Sequence, residues 1–321
     1  MLVQLVFKGF QRIIVTGGAG FIGSHLAEAL LKEGAEVIVL DDFSSGKQSN
    51  LEHSMKNENF TFYRGDIRDK EIISKLFKEV DVVFHEAAQI NIKKSVEDPI
   101  TTNDVNVNGT LNILKACVDN RVKRLIFASS CAVYGDSETL PIGEDTALKP
   151  ISPYAASKLA AENYVRAFHR IYGLETVCLR YFNVYGPRQT LGPYSGVIPI
   201  FIDQLLKGEQ LMIFGDGEQT RDFVNVKDIV EANVCALKTK AIGEVFNVAT
   251  GQATSINELA QLLQKITGRT ELKPKHAEPR TGDIDQSYAD ISKSEKLLGY
   301  KPKTSLQQGL TELVREYQKI P

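Results

Sequence analysis

The chain is poor in the features that mark secreted, metal-bound or membrane-embedded proteins. Its 321 residues hold only four cysteines, Cys117, Cys131, Cys178 and Cys235. They stand far apart and form no C-x-x-C pair, which argues against a disulfide framework and for a reduced, cytoplasmic protein. The five histidines lack metal-ligand spacing, so no metal is expected. Charge of one sign is not in excess. A net charge of −2 gives no reason to expect nucleic acid or an anionic membrane as partner. Cationic groups that bind an anionic substrate must therefore be local. No apolar run approaches the ~18 residues of a transmembrane helix. Residues 1–10 are apolar but short, with no basic start and no small-residue cleavage site. They read as an extension ahead of the first strand, not as a signal peptide. Internal repeats and low-complexity stretches are also absent. A content of 43% hydrophobic and 24% charged residues then leaves an ordinary globular protein.

What is present is a glycine pattern. Residues 16–23 read TGGAGFIG, with glycines at 17, 20 and 23. An apolar run at 13–15 precedes them and a helical pattern over 24–33 follows. Glycine serves three needs there: a tight turn out of a strand, close backbone approach to a pyrophosphate, and close packing of helix on sheet. The open N–H groups and dipole of the helix start then face phosphate charge. An acid, Asp41, follows the next apolar run at the position that meets a ribose, and Asp42 opens the polar loop after it. Strands are expected over 36–40, 60–63, 81–84, 124–129 and 174–180, with helices over 70–77, 101–118 and 154–172. This alternation predicts a doubly wound parallel α/β sheet, a Rossmann fold. Asp66 lies just past the third strand, at the ligand edge, and suits an adenine contact; Asp69 is the better helix cap. Small Ala87 and Ala88, past the fourth strand, let the chain run close to a cofactor.

Beyond 181 the alternation loosens. A loop is expected over 181–195, helices over 197–207, 256–268, 292–298 and 306–318, and strands over 211–214, 222–226 and 244–248. No clean linker appears, so the smaller C-terminal domain is expected to interleave with the first. Residues 1–180, with 222–250 returning, form the dinucleotide-binding part; 181–221 and 251–321 form the substrate part.

Tyr154 and Lys158 are four apart at a helix start and share one face. A nearby ammonium is expected to lower the tyrosine's pKa and make it a general base toward a sugar hydroxyl. Lys158 is also placed to bind a nicotinamide ribose. Ser130, at a neighbouring strand end, is placed to hydrogen-bond the same hydroxyl.

With these residues go GDIRD at 65–69, HEAAQ at 85–89, ASSCAVYG at 128–135, SPYAASK at 152–158, LRYFNVYGPRQ at 179–189, FGDGEQTRDFVNVKD at 214–228 and EPRTGDIDQSYADISK at 278–293. Together they cover almost the whole chain, which resembles the extended short-chain dehydrogenase/reductase superfamily, nearest its UDP-hexose 4-epimerases. The resemblance implies NAD as cofactor, a UDP-sugar as substrate and a homodimer built on helices 101–118 and 154–172. It implies that Gly17, Gly20, Phe21, Ile22 and Gly23 hold the pyrophosphate, Asp41 the adenosine ribose, and Asp66 with Ile67 the adenine. Ala87, Ala88 and Gln89 then line the cofactor, and Tyr181 with Phe182 lies beside the nicotinamide. On the substrate side it implies Asn183 near the diphosphate-sugar, Val197 and Phe214 near the uracil, and Arg221 and Arg280 on the diphosphate. Guanidinium suits phosphate because it offers planar, bidentate donors. Asp222 and Asp283 lie close enough in sequence to partner those arginines instead.

Ser130 and Cys131 stand where the related dehydratases carry an Asp-Glu pair and the decarboxylases a Glu. Neither is a carboxylic acid, which favours epimerisation. Ser287 aligns with a position that limits sugar size, and a small residue there leaves room for an N-acetyl group; a one-residue slip would put Tyr288 in the role. A UDP-glucuronate 4-epimerase is the rival reading, with Lys93, Lys94 and Arg188 as candidate cations for the uronate carboxylate. A non-catalytic NAD-binding sensor would have no use for the Ser130, Tyr154 and Lys158 set.

Overall fold

A computed structural model describes residues 10–189, 196–279 and 284–319. Successive residues of the apolar runs serve two cores. Ile13 and Val15 pack into one hydrophobic cluster and Ile14 into another, because side chains alternate across a strand. Runs that are apolar on both faces belong to a parallel sheet covered by helices on both sides. The sheet has seven strands: β1 (Arg12–Thr16), β2 (Glu36–Asp41), β3 (Phe60–Arg64), β4 (Val82–His85), β5 (Arg124–Ser130), β6 (Glu175–Tyr181) and β7 (Glu244–Val248). All pairings are parallel, in the order β7-β6-β5-β4-β1-β2-β3.

The order reverses between β1 and β4, where Thr16 and His85 are register partners. The crevice beyond the carboxyl ends at such a reversal is where ligands bind. Helices Phe21–Lys32 and Val226–Lys238 contribute to the cluster on one face of the sheet; Lys70–Leu76, Thr110–Asp119 and Pro153–Tyr172 contribute to the other. A third cluster lies among helices Val197–Leu206, Ile256–Thr267 and Leu306–Tyr317. Short strands tie that region together: Met212–Phe214 pairs with Lys275–Ala277, and Thr220–Arg221 lies between Thr254–Ser255 and Gln286–Ser287. Among the described residues, no helix is long and apolar enough to cross a membrane.

Three expectations need correction. The helix expected over 101–118 begins at Pro99, after the cap Asp98, and is interrupted by a π-type turn over Asp104–Gly109. That turn carries a buried polar residue, Asn106, and wide turns of this kind occur often at functional sites. The strand expected over 222–226 is only Phe223–Asn225, and a helix, Val226–Lys238, follows at once. Its apolar stripe is broken by buried Asp228 and Asn233, which hid it. The loop expected over 181–195 contains a strand, Asn183–Tyr185, paired with Phe223–Asn225. The helix expected over 292–298 is present, with Ser294–Leu298 wound as a π-type turn and closed by Gly299 in the left-handed region.

Candidate active site

Gly17 leaves β1 with φ +68°, a conformation that costs other residues about 1–2 kcal/mol. Its missing Cβ matters as well, since one would lie 2.7 Å from the Ala87 amide nitrogen. A Cβ on Gly23 would strike the Gly17 carbonyl oxygen. Gly20 is the N-cap of helix Phe21–Lys32 and no side chain caps it. The first-turn N–H groups, around Phe21 and Ile22, therefore suit an anion. A backbone cradle that any Cβ would fill, opening on an uncapped helix, fits a dinucleotide pyrophosphate. Gly17→Ala is expected to weaken NAD binding by about tenfold or more, the factor for 1.4 kcal/mol. Calorimetric titration checks this; an unchanged affinity would show that the turn does not approach the cofactor.

Asp41 ends β2 and is buried. Its carboxylate accepts the amides of Ala19 at 2.9 Å and Phe43 at 2.8 Å, so it braces the glycine turn from below. Burial raises its pKa, while those amides pull it down. Asp42 is exposed and accepts the Ser44 amide at 2.8 Å. Asp66 is held by Arg68 through a bond of 2.6 Å, and Arg68 reaches on to Asp104 at 3.1 Å. Hydrogen bonding to Arg68 keeps the Asp66 carboxyl below its usual range. Ile67 is buried in the core beneath it.

Past β4, Ala87 donates its amide to Thr16 Oγ1 at 3.3 Å, and Ala88 continues half-buried. Gln89 has a structural task that its place in the motif did not reveal. Its amide donates to Asn106 Oδ1 at 2.7 Å and its side chain to Thr102 at 2.9 Å. Asn106 donates in turn to Ser157 on the Tyr154 helix, at 2.9 Å. The π-type turn thus clamps the 86–89 segment to the helix that carries Tyr154 and Lys158. No short-range pattern marks Asn106.

The Pro153–Tyr172 helix starts where its residues dictate, with Ser152 accepting the Ala155 amide at 3.1 Å and Pro153 in the first turn. Tyr154 is half-buried, and Ser130 is the polar side chain that pulls its proton affinity down. The Tyr154 amide donates to Ser95 at 3.1 Å. The expected effect of Lys158 on Tyr154 is not what the structure shows. Burial dominates and pushes the phenol up to about 12, and Lys158 is not among the groups that act on it. Lys158 is itself buried, with Nζ 4.5 Å from the centre of the Phe127 ring. Desolvation lowers its pKa to about 8, against Glu86 and Glu162, which raise it. Cys131 lies next to this set, and burial raises its thiol to about 12, so it stays protonated.

Ser130 and Tyr181 are register partners at the ends of β5 and β6. Phe182 turns away from them into a small cluster with Tyr134. Beyond, a cavity of about 590 Å³ is lined by Asn183, Val197, Phe214 and Arg221, among others. Four residues drawn from separate secondary-structure elements thus share one chamber. Arg221 donates to the Thr220 carbonyl at 2.7 Å. Asp222 instead accepts the amides of Thr250, Gly251 and Ala289 and the Thr250 hydroxyl. Ser287 is buried and is the register partner of Arg221, so it shares a face with it. Tyr288, one residue on, takes the opposite face. Arg280 and Asp283 lie outside the described residues. Among the described residues, no group of His, Cys, Asp and Glu could hold a metal ion.

The candidate uronate cations lie elsewhere. Arg188 is held by Glu28 at 2.5 Å, and Lys93 lies 3.8 Å from Glu97 on the same helix. Residues the sequence did not single out complete the site. Glu86 and Asn233 flank Tyr181, and the buried Glu162, on the Lys158 helix, pairs with Arg180 of β6 at 2.6 Å.

Residues 13–249 match the model of the NAD dependent epimerase/dehydratase family. The UDP-glucose 4-epimerase of Mycolicibacterium smegmatis is 40% identical over 95% of this chain and 97% of its own. The structure of the Thermotoga maritima UDP-glucose 4-epimerase with UDP-glucose superposes with a TM-score of 0.92 at 42% identity, covering 96% of this chain and 99% of that one. The UDP-N-acetylglucosamine 4-epimerase of Methanobrevibacter ruminantium, in complex with UDP-N-acetylmuramic acid, gives 0.92 at 40% identity over 96% and 98%.

Proposed function

The chain belongs to the NAD dependent epimerase/dehydratase family, and within it we propose that it inverts C4 of a UDP-hexose or UDP-N-acetylhexosamine. One observation carries the reading. Ser130 acts on the Tyr154 phenol, Lys158 lies one helical turn beyond Tyr154, and the residue after Ser130 is a thiol, Cys131, not an acid, which supports the reading. Elimination of water from the sugar needs a further acid and base at that place; inversion does not.

Tyr154 takes the proton of the sugar 4-hydroxyl, and Ser130 hydrogen-bonds the same oxygen as charge develops there. When bound, NAD supplies the hydride acceptor and donor, and its positive ring lowers the cost of ionising the phenol. Lys158 binds the cofactor ribose and adds a second positive charge. Gly17, Gly20 and Gly23 seat the pyrophosphate, Asp41 the ribose and the 66–67 segment the adenine. An acid at 41 favours NAD over NADP, because a 2′-phosphate would meet like charge. In the substrate chamber Val197 and Phe214 hold the uracil, and Arg221 with Arg280 grips the diphosphate. The 4-keto sugar turns about its link to the diphosphate, while those contacts keep the nucleotide still.

Ser287 supports acceptance of the acetylated sugars, since it is small and shares a face with Arg221. The protein is expected to interconvert UDP-GlcNAc and UDP-GalNAc with kcat/KM equal to or above that for UDP-Glc and UDP-Gal. Separate incubations with UDP-GlcNAc, UDP-Glc and UDP-glucuronate, followed by product separation, test this. Exclusion of the acetylated pair would sink the Ser287 assignment; turnover of the uronate alone would replace the reading. A homodimer through the helices near 92–119 and 153–172 is part of the proposal. Exposed Ile92, Val96, Ile100, Ile171 and Tyr172 on these segments support it. The four cysteines are all free thiols, which fits a reducing cytoplasm.

A further inference from the structure

Asp222 sits at a corner of the chain that takes no part in the proton and hydride steps. It stands between two short strands, Thr220–Arg221 and Phe223–Asn225. The first pairs with Gln286–Ser287 and the second with Asn183–Tyr185, so the chain changes sheets at this residue. Asp222 is fully buried, and both of its carboxylate oxygens are engaged. One accepts the Thr250 amide at 2.8 Å and the Thr250 hydroxyl at 2.6 Å. The other accepts the amides of Gly251 at 2.8 Å and Ala289 at 3.3 Å. The Asp222 backbone carbonyl accepts the Asn183 amide at 3.0 Å.

These partners come from three directions. Asn183 lies just past β6, and Thr250 with Gly251 just past β7. Ala289 lies just past the strand that carries Ser287, and it bridges to Ile142. One residue therefore ties the carboxyl ends of two strands of the main sheet to the strand pair that bears Arg221 and Ser287. A corner between strands does not itself call for an acid. A carboxylate is tolerated in full burial only where donors are gathered to it, and bonds to a charged acceptor are stronger than neutral ones.

We propose that Asp222 is a positioning residue for the substrate: its carboxylate fixes Arg221 and Ser287 against the carboxyl ends of β6 and β7, so that diphosphate and sugar are held in register with the cofactor. It rests on the reading of Arg221 and Ser287 as substrate contacts. Asp222 is wholly buried, so it acts through the strands it joins. None of its side-chain bonds reaches the glycine turn, Asp41 or the 86–89 segment. Its loss should therefore tell on the substrate and spare the cofactor.

Asp222→Asn keeps the shape but replaces one acceptor oxygen by a donor, which then meets other donors. In the NAD-loaded protein the Kd for UDP and the KM for the UDP-sugar are expected to rise roughly tenfold, with the NAD content of the purified variant unchanged. A residue that merely stabilised the fold would lower the urea midpoint and the active fraction and leave KM as it was. An unchanged UDP affinity would overturn the proposal, and so would a loss of NAD in step with that of UDP. Thr250→Val removes only the hydroxyl donor at equal size, and is expected to weaken UDP roughly threefold. Should the asparagine variant fail to fold, unchanged UDP affinity in Thr250→Val overturns the proposal by itself. A wild type that binds UDP but inverts no sugar would sink the functional reading alone, and the UDP titrations would still judge Asp222. A wild type that binds no UDP would overturn both.

Discussion

Tyr154→Phe is expected to lower kcat by about a thousandfold, the usual scale for removing a general base, while NAD remains bound. The structure sharpens what that experiment reads. Burial holds the phenol near 12 when the protein is alone, so Tyr154 must first lose its own proton before it can take one from the sugar. Its proton affinity must fall only once positive charge is gathered around it. Lys158 is not among the groups that act on the phenol in the protein alone, so the positive ring of the bound cofactor is the charge this reading calls on. Steady-state kcat with UDP-GlcNAc, together with the NAD content of the purified variant, decides the matter. Retained turnover in Tyr154→Phe would remove Tyr154 from its role. Lost turnover with lost NAD would show instead that the variant had damaged the cofactor site.

The second large effect concerns stability. Glu162 and Arg180 are both buried, and the guanidinium donates to the carboxylate at 3.0 and 2.6 Å. Ser129 donates to the same carboxylate at 2.6 Å, and Arg180 donates to the Tyr134 hydroxyl at 2.8 Å. Tyr134 donates onward to Asn247 on β7 at 2.6 Å. Glu162→Ala would leave a guanidinium buried without its anion, and is expected to cost about 3–5 kcal/mol. The midpoint of urea unfolding measures it. The paired change Glu162→Leu with Arg180→Met should recover most of the loss, because an apolar pair of similar volume avoids the desolvation that the ions suffer. A single variant within about 1 kcal/mol of the wild type would mean that water already reaches the pair. The network also bears on activity: Ser129 adjoins Ser130, and Glu162 is one helical turn beyond Lys158. Even a folded Glu162→Ala protein should have its reacting groups less well placed.

Much of this protein was legible in its residues alone. Strands β1, β2 and β4 announce themselves because a strand buried on both faces is apolar through most of its short length. The turn at 16–23 does so because only glycine tolerates the backbone at Gly17 and the contact at Gly23. Ser152, Pro153 and Gly173 mark the Tyr154 helix at both ends. Each of these signals is local: the residues that cause the structure sit beside it in the chain.

The remainder was decided by contacts between distant segments. Helix Val226–Lys238 escaped notice because Asp228 and Asn233 interrupt its apolar stripe. Asp228 accepts the amides of Lys303 and Thr304, and Asn233 serves Tyr181, so both polar residues are buried for reasons found elsewhere in the chain. The substrate chamber draws Asn183, Val197, Phe214 and Arg221 from separate elements, and no spacing rule foretells that they share a wall. The reactivity of the site is the clearest case. Tyr154 and Lys158 could be found from their spacing, but burial sets their proton affinities, and burial depends on all that packs around them. The sequence by itself determined where the cofactor turn lies and which side chains are available for chemistry. The tertiary structure decided which of them are charged, by removing water from Tyr154 and Lys158.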